Sequence, residues 1–296
     1  MKQRKSIFFA IIAILMWSTS GTAFKLSLKT LEFSQLLFVA SNTAWITLLI
    51  YSILIKKRIN IKSKSNLLRS ALGGFLNPFL FYMILLKAYS LLPAQIAQPL
   101  NYTWPIMLVI LSVPFLKQKL KWFDYAAITI SFLGVLAISL QGEHSFRPDR
   151  QSLVGILLAT GSSIIWASFW IFNVRDKRDE LEKILLNFFF GALFISLWLW
   201  LTKGFPSFSS GWYPAIYVGI TEMAIAFVCW LMALQLSDNN SRIGNLVFLS
   251  PFLALFFIHL ILKEQIFIST FAGLALIVGG IMFQQFMVRY EKSRGK

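Results

Sequence analysis

Long apolar runs separated by short polar ones organise this chain from end to end. A helix rising 1.5 Å per residue needs about 20 apolar residues to cross a hydrocarbon core about 30 Å thick. Ten runs of that kind can be read: Ile7 to Phe24, Phe33 to Ile55, Leu67 to Leu92, Gln95 to Leu116, Trp122 to Gln141, Leu153 to Val174, Lys183 to Thr202, Trp212 to Leu236, Arg242 to Leu262 and Phe267 to Val288. The pattern predicts an all-α polytopic membrane protein with ten transmembrane helices.

Two of these runs repeat each other. Asn101 to Leu120 (NYTWPIMLVILSVPFLKQKL) and Asn245 to Ile266 (NLVFLSPFLALFFIHLILKEQI) place Pro105 against Pro251 and Lys117 against Lys263, 146 positions apart. A proline inside a helix removes one hydrogen bond and frees the carbonyl four residues back, here that of Asn101 and Val247. Within a bilayer a freed carbonyl is tolerated only against protein or a water-filled cavity. Pro105 and Pro251 are therefore expected to bend helices that face the bundle interior. Weaker matches follow in order: Trp17 with Trp166, Asn42 with Asn187, Ala88 with Ala233 and Gly134 with Gly280. They fit a duplication into residues 1–147 (first to fifth helices) and 148–296 (sixth to tenth). Because five is odd, the second unit enters the membrane from the opposite side, giving two inverted five-helix repeats, an architecture of secondary transporters.

Composition removes the soluble alternatives. Hydrophobic residues make up 57% of the 296, mean hydropathy is +0.69, and there are 29 phenylalanines, too apolar for a domain that must present a charged surface to water. The net charge of +16 does not point to nucleic acid, because the basic residues lie between the apolar runs. With the N-terminus in the cytoplasm, 21 lysines and arginines fall on inner segments and six on outer ones; Lys87 lies within a span. That asymmetry predicts both termini inside. Residues 1–23 have the look of a signal peptide, but with further spans following an uncleaved first helix is expected. The single Cys229, within an apolar run, excludes an internal disulfide and a cysteine-rich metal site.

With AIIAILMWSTSGTAFK in its first helix and paired proline helices, the second ending in the turn LKEQI with Glu264, the chain resembles the EamA branch of the drug/metabolite transporter superfamily over essentially its whole length. The phrase NYTWP, with LMWST and the position of Trp166, is similar to the aromatic amino acid exporter subgroup. Gln118 stands where many members carry glutamate, so any ion pair in that turn is in question. The resemblance implies a bacterial inner-membrane exporter of amino acids or similar metabolites. It also implies a central cavity lined by the first, third, fourth, sixth, eighth and ninth helices, and no bound cofactor.

Membrane tryptophans collect at the two interfaces, as Trp122 and Trp212 do, whereas Trp17 and Trp104 fall near mid-bilayer and Trp166 slightly deeper toward the cytoplasm. A buried indole needs a partner for its N–H, so a polar cavity, a substrate or an internal hydrogen bond between packed helices accounts for each. Glu222 is the only acid deep within a span. Insertion there costs about 2.5 to 3.5 kcal/mol, so it should face the interior. It is a structural acid or a site for a proton or a substrate ammonium group, and its repeat counterpart is Asn77. Gln98, Asn101 and Tyr102 of the fourth helix and Asn245 and Ser250 of the ninth can hydrogen-bond a polar solute. Tyr82 and Trp230 complete the expected substrate-binding set.

Lys87 is read mainly as snorkelling to the outer surface, His259 as an interfacial or packed histidine, and Gly134, Gly273, Gly279 and Gly280 as close-packing positions. No nucleotide-binding or hydrolase motif appears, so neither ATP-driven pumping nor catalysis is expected, and no metal is. The expected partners are a small-molecule substrate and the lipid bilayer, with the chain a monomer or homodimer. Drug efflux or uptake through the same cavity remains an alternative, and a membrane-embedded enzyme would need more intramembrane acids or histidines than Glu222 alone.

Overall fold

The computed structural model describes residues 2–55, 63–116, 120–139, 149–237, 243 and 246–294. Among them the chain is helical, with turns and no strand. The helices are α1 (Lys2–Ser27), α2 (Phe33–Leu54), α3 (Lys64–Gly74), α4 (Phe81–Leu91), α5 (Ala94–Asn101), α6 (Trp104–Leu116), α7 (Trp122–Ser139), α8 (Arg150–Arg175), α9 (Glu180–Thr202), α10 (Trp212–Ile220), α11 (Ala226–Leu236), α12 (Ser250–Phe257) and α13 (Ile268–Arg294). Eight helical stretches are long and apolar enough to cross a membrane, and two shorter apolar ones lie at Trp122–Ile138 and Val247–Leu262. Leu201, Ile268 and Phe286 stand among many large apolar side chains on the outside. Such a surface suits lipid and not water.

Polar residues at the ends start the helices. Ser63 accepts from the Asn66 N–H at 3.3 Å, Asp149 from Ser152 at 2.9 Å, and Asp179 from Leu181 at 3.1 Å and Glu182 at 3.2 Å. Each satisfies backbone donors that a first helical turn leaves unpaired. Glu32 and Gln35 form a reciprocal capping box at α2.

The interiors of several spans are interrupted. A kink within Phe75–Leu80, where Asn77 is extended (φ -149°, ψ 121°) ahead of Pro78, joins α3 to α4, and a π-helical turn, Thr221–Ile225, joins α10 to α11. The fourth span breaks between α5 and α6, with Pro105 in the first turn of α6. Pro251 likewise begins α12, after a 3₁₀ turn at Val247–Leu249, and a second π-helical turn follows at Ile258–Leu262. Helical breaks at membrane depth require the freed backbone to lie against protein or a cavity.

Close helix contacts join the two halves of the sequence: α1 packs on α11, α2 on α10, α3 on α9, α4 on α8 and α7 on α13. Gly134 and Gly273 sit face to face, so that a Cβ on Gly134 would come within 2.6 Å of the Gly273 carbonyl oxygen. Gly280 meets Ser131 and Ala127 in the same seam, but Gly279 faces open space, which removes it from the expected packing set.

Candidate functional site

A cavity of about 1030 Å³ occupies the centre of the bundle. Trp17, Ser20 and Phe24 of α1, Phe81, Tyr82 and Tyr89 of α4, Trp166 and Trp170 of α8, and Phe227 and Trp230 of α11 form much of its wall. Gln98, Asn101, Tyr102, Trp104 and Pro105 enter from the broken fourth span, and Glu222 enters from the π-helical turn between α10 and α11. Helices α7 and α13, formed by the two apolar runs that the resemblance leaves out of the lining, contribute Phe123, Asp124, Gln284 and Arg289 toward one end.

Aromatic rings make a nearly continuous surface. Trp17 lies 5.3 Å from Trp230 and 6.1 Å from Phe227, measured between ring centroids. Trp166 lies 4.6 Å from Phe81, 5.7 Å from Phe169 and 6.1 Å from Phe227. Edge-to-face and tilted pairs at such separations hold rings rigidly while leaving flat faces for a guest.

Glu222 meets this aromatic surface with a polar cluster. The Tyr82 hydroxyl donates to Glu222 Oε1 at 3.0 Å, and Ser20 adjoins the same carboxylate. Among the described residues Glu222 Oε2 has no hydrogen-bond partner. The Trp17 indole N–H donates to the Glu222 backbone carbonyl at 3.4 Å, tying α1 to the π-helical turn. Extra residues in a π turn shift the register of the side chains that follow, and such turns recur at functional positions. Asn77 occupies the kink between α3 and α4, fully buried, and neither of its amide atoms meets a partner among the described residues.

One end of the cavity is shut. The Tyr89 hydroxyl donates to Gln98 Oε1, and Gly21 leaves the space for both, since a Cβ there would lie 2.6 Å from Gln98 Oε1. Beyond them the Glu264 carboxylate accepts the backbone N–H groups of Ala94 and Gln95, each at 3.1 Å. The Gln95 side chain donates to the Gln265 carbonyl at 2.6 Å and accepts from the Phe267 N–H at 3.1 Å. Lys263, at φ 59°, turns the chain so that Glu264 faces the start of α5. Lys25 donates to the carbonyls of Tyr89 and Leu92, both at 3.0 Å. The other end reaches exposed charge at Lys121, Arg289 and Glu291, where Lys121 pairs with Glu291.

Of the residues expected from sequence, the structure brings Trp17, Tyr82, Gln98, Asn101, Tyr102, Trp104, Trp166, Glu222 and Trp230 to this cavity. Ser250 is not in the wall; it is fully buried, 3.2 Å from Ser18 Oγ. Asn245 and Gln118 lie outside the described residues. Lys87 sits with its ammonium 5.2 Å from the Phe33 ring, and His259 Nδ1 lies 2.9 Å from the Glu264 carbonyl oxygen. Sequence reasoning passed over Ser20, Tyr89, Phe81 and Phe227. Their types are ordinary in apolar helices, although Ser20 lies three residues after Trp17, Phe227 three before Trp230 and Tyr89 seven after Tyr82, each on a helix face shared with a chosen residue.

The EamA-like transporter family matches this chain twice, over residues 4–140 and 153–284. The Bacillus subtilis (strain 168) protein described as uncharacterized transporter YvbV is 26% identical over 290 residues, covering 95% of this chain and 91% of its own length. The aromatic amino acid exporter YddG of Ancylobacter novellus is 25% identical over 227 residues, covering 74% of this chain and 75% of its own. A solved crystal structure shares the fold at a TM-score of 0.69 and 20% identity, covering 96% of this chain and 98% of that one. A multi-pass apolar bundle around an aromatic cavity, matched by one family along nearly all its length, identifies the chain as a member of the EamA-like transporter family.

Proposed function

We propose that this protein is a secondary transporter that exports amino acids or related small metabolites, with aromatic amino acids the leading substrates, across the inner membrane by alternating access. The observation that carries the reading is the central cavity, where aromatic walls surround one intramembrane carboxylate. An aromatic ring fits the walls, and an ammonium group fits Glu222. The export activity in the name of the Ancylobacter relative is consistent with that fit.

The proposed architecture is ten crossings in two inverted repeats, residues 1–147 and 148–296, with both termini cytoplasmic. Two features support it. Exchanging the halves converts the α1–α11 contact into α8–α4 and α2–α10 into α9–α3, while α7–α13 maps onto itself. Bonds between the ends of spans also join segments that the alternation assigns to one face: Lys203 with Glu32, Glu264 with Ala94, Lys121 with Glu291, and Ser6 with the Ala233 carbonyl. On that orientation the open mouth of the cavity is cytoplasmic and the Glu264 end is outer.

Cells overexpressing the protein and fed a Phe-containing dipeptide should resist growth inhibition and excrete more phenylalanine. Unchanged resistance and excretion would remove the aromatic substrate. Cysteines placed at Ser63 and Ser145 should react with an impermeant maleimide from opposite sides of the membrane, and labelling from one side alone would break the inverted repeat.

A further inference from the structure

Around Glu222 four hydroxyl and indole protons are already engaged within the protein, although elsewhere in the wall the Trp170 indole N–H has no partner among the described residues and the Gln98 side chain carries amide N–H donors. The Tyr82 hydroxyl donates to Glu222, the Tyr89 hydroxyl to Gln98, the Ser20 hydroxyl to the Trp17 carbonyl at 2.5 Å, and the Trp17 indole to the Glu222 carbonyl. What these groups leave facing the cavity is lone pairs and ring faces, together with a carboxylate oxygen that has no partner among the described residues. Among the described residues lining this deep part of the cavity, none is a lysine or arginine; the basic side chains of the wall, Lys121 and Arg289, stand at the mouth. Lys25, near the shut end, is bonded to two backbone carbonyls.

The cluster of acceptors and π faces immediately around Glu222 complements a group that carries several N–H donors and a positive charge. It repels a carboxylate, which would bring more lone pairs and a like charge. We propose that the deep half of the cavity selects substrates by an ammonium group and does not require a substrate carboxylate, so that aromatic amines and amino acid esters are recognised at least as well as the parent amino acids. The inference rests on the transport reading above, and narrows it from amino acids to monocations and zwitterions bearing a ring and an amine.

Isothermal titration of the full chain in detergent with four probes tests it: phenylalanine, phenylalanine methyl ester, phenethylamine and 3-phenylpropionate. The ester and phenethylamine should bind as tightly as phenylalanine or tighter, and 3-phenylpropionate more weakly than phenethylamine by about tenfold or more, since one charge-assisted contact is worth that much. Glu222→Gln, nearly isosteric, should flatten this order, and the comparison among probes on the unaltered protein stands even where that variant folds poorly. Phenylalanine and phenylpropionate binding alike, with the amine no better, would overturn the ammonium rule and leave an aromatic transporter standing. Amines that bind while phenylalanine does not would uphold the rule and overturn aromatic amino acid export. No binding by any probe would overturn both.

Discussion

Asp176 illustrates how single residues hold the loops of this bundle. It follows α8, where Arg178 reaches its carboxylate through Nε at 3.0 Å and Nη2 at 2.6 Å, while Arg178 Nη1 donates to the Asn66 carbonyl at 3.1 Å and Ser70 Oγ at 2.9 Å. Lys183, almost wholly buried, donates to the Asp176 carbonyl at 3.0 Å and Glu180 Oε1 at 2.7 Å. Burial pushes the Asp176 carboxyl up, but hydrogen bonds from the Arg178 side chain and backbone, with its charge, outweigh that and hold it below the usual carboxylate range. A carboxyl depressed in the fold stabilises above its unfolded value of about 3.9, and that contribution is lost as pH falls through the folded value. The melting temperature of Asp176→Asn in detergent should therefore lie below the parent at neutral pH, with the gap closing as the pH is taken below about 4. A gap that persisted in acid would assign the loss to something other than the ionised carboxylate. None of this triad stood out in the sequence, because charges between two apolar runs look the same whether solvated or paired.

At the scale of elements, Gly134 and Gly273 let the backbones of α7 and α13 approach to contact. Forcing larger side chains into such a seam costs about 1 to 3 kcal/mol. Gly134→Leu should lower the melting temperature in detergent by several degrees, whereas Gly279→Ala, with nothing within 4 Å of its Cβ, should leave it unchanged or slightly raised by better helix propensity. Equal losses in both variants would contradict the seam. The spans themselves were legible from apolar length, and the interruption near Pro105 from its missing N–H. The π-helical turn at Thr221–Ile225 was not, since no residue type demands the extra backbone atom; neighbouring helices decide whether a turn widens.

Across the whole molecule, the shut end of the cavity depends on bonds between residues about 170 positions apart. Glu264 caps the start of α5, placing a carboxylate at the positive end of a helix, and Gln95 binds the chain after it from the other side. Opening the cavity to that face must break these bonds, so Glu264→Ala should favour the form open there. In a Cys229→Ser background, a cysteine at Ser20 should react faster with an impermeant maleimide added from the Glu264 side once Glu264 is replaced. An unchanged rate would show that the seal lies elsewhere, at Tyr89 and Gln98 for example.

Sequence by itself determined the membrane class, the runs that become helices, the internal repetition and the residues most costly to place in lipid. These follow from local quantities: apolar length, a missing N–H, the price of an intramembrane charge. Tertiary structure alone decided which ring faces which, that Tyr82 and Ser20 gather at Glu222, that Ser250 is buried against Ser18 behind the cavity wall, and that Gly21 makes room for Gln98. Those outcomes depend on the rotation of one helix against another, and an apolar helix that is hydrophobic on every side carries little in its own pattern to set that rotation.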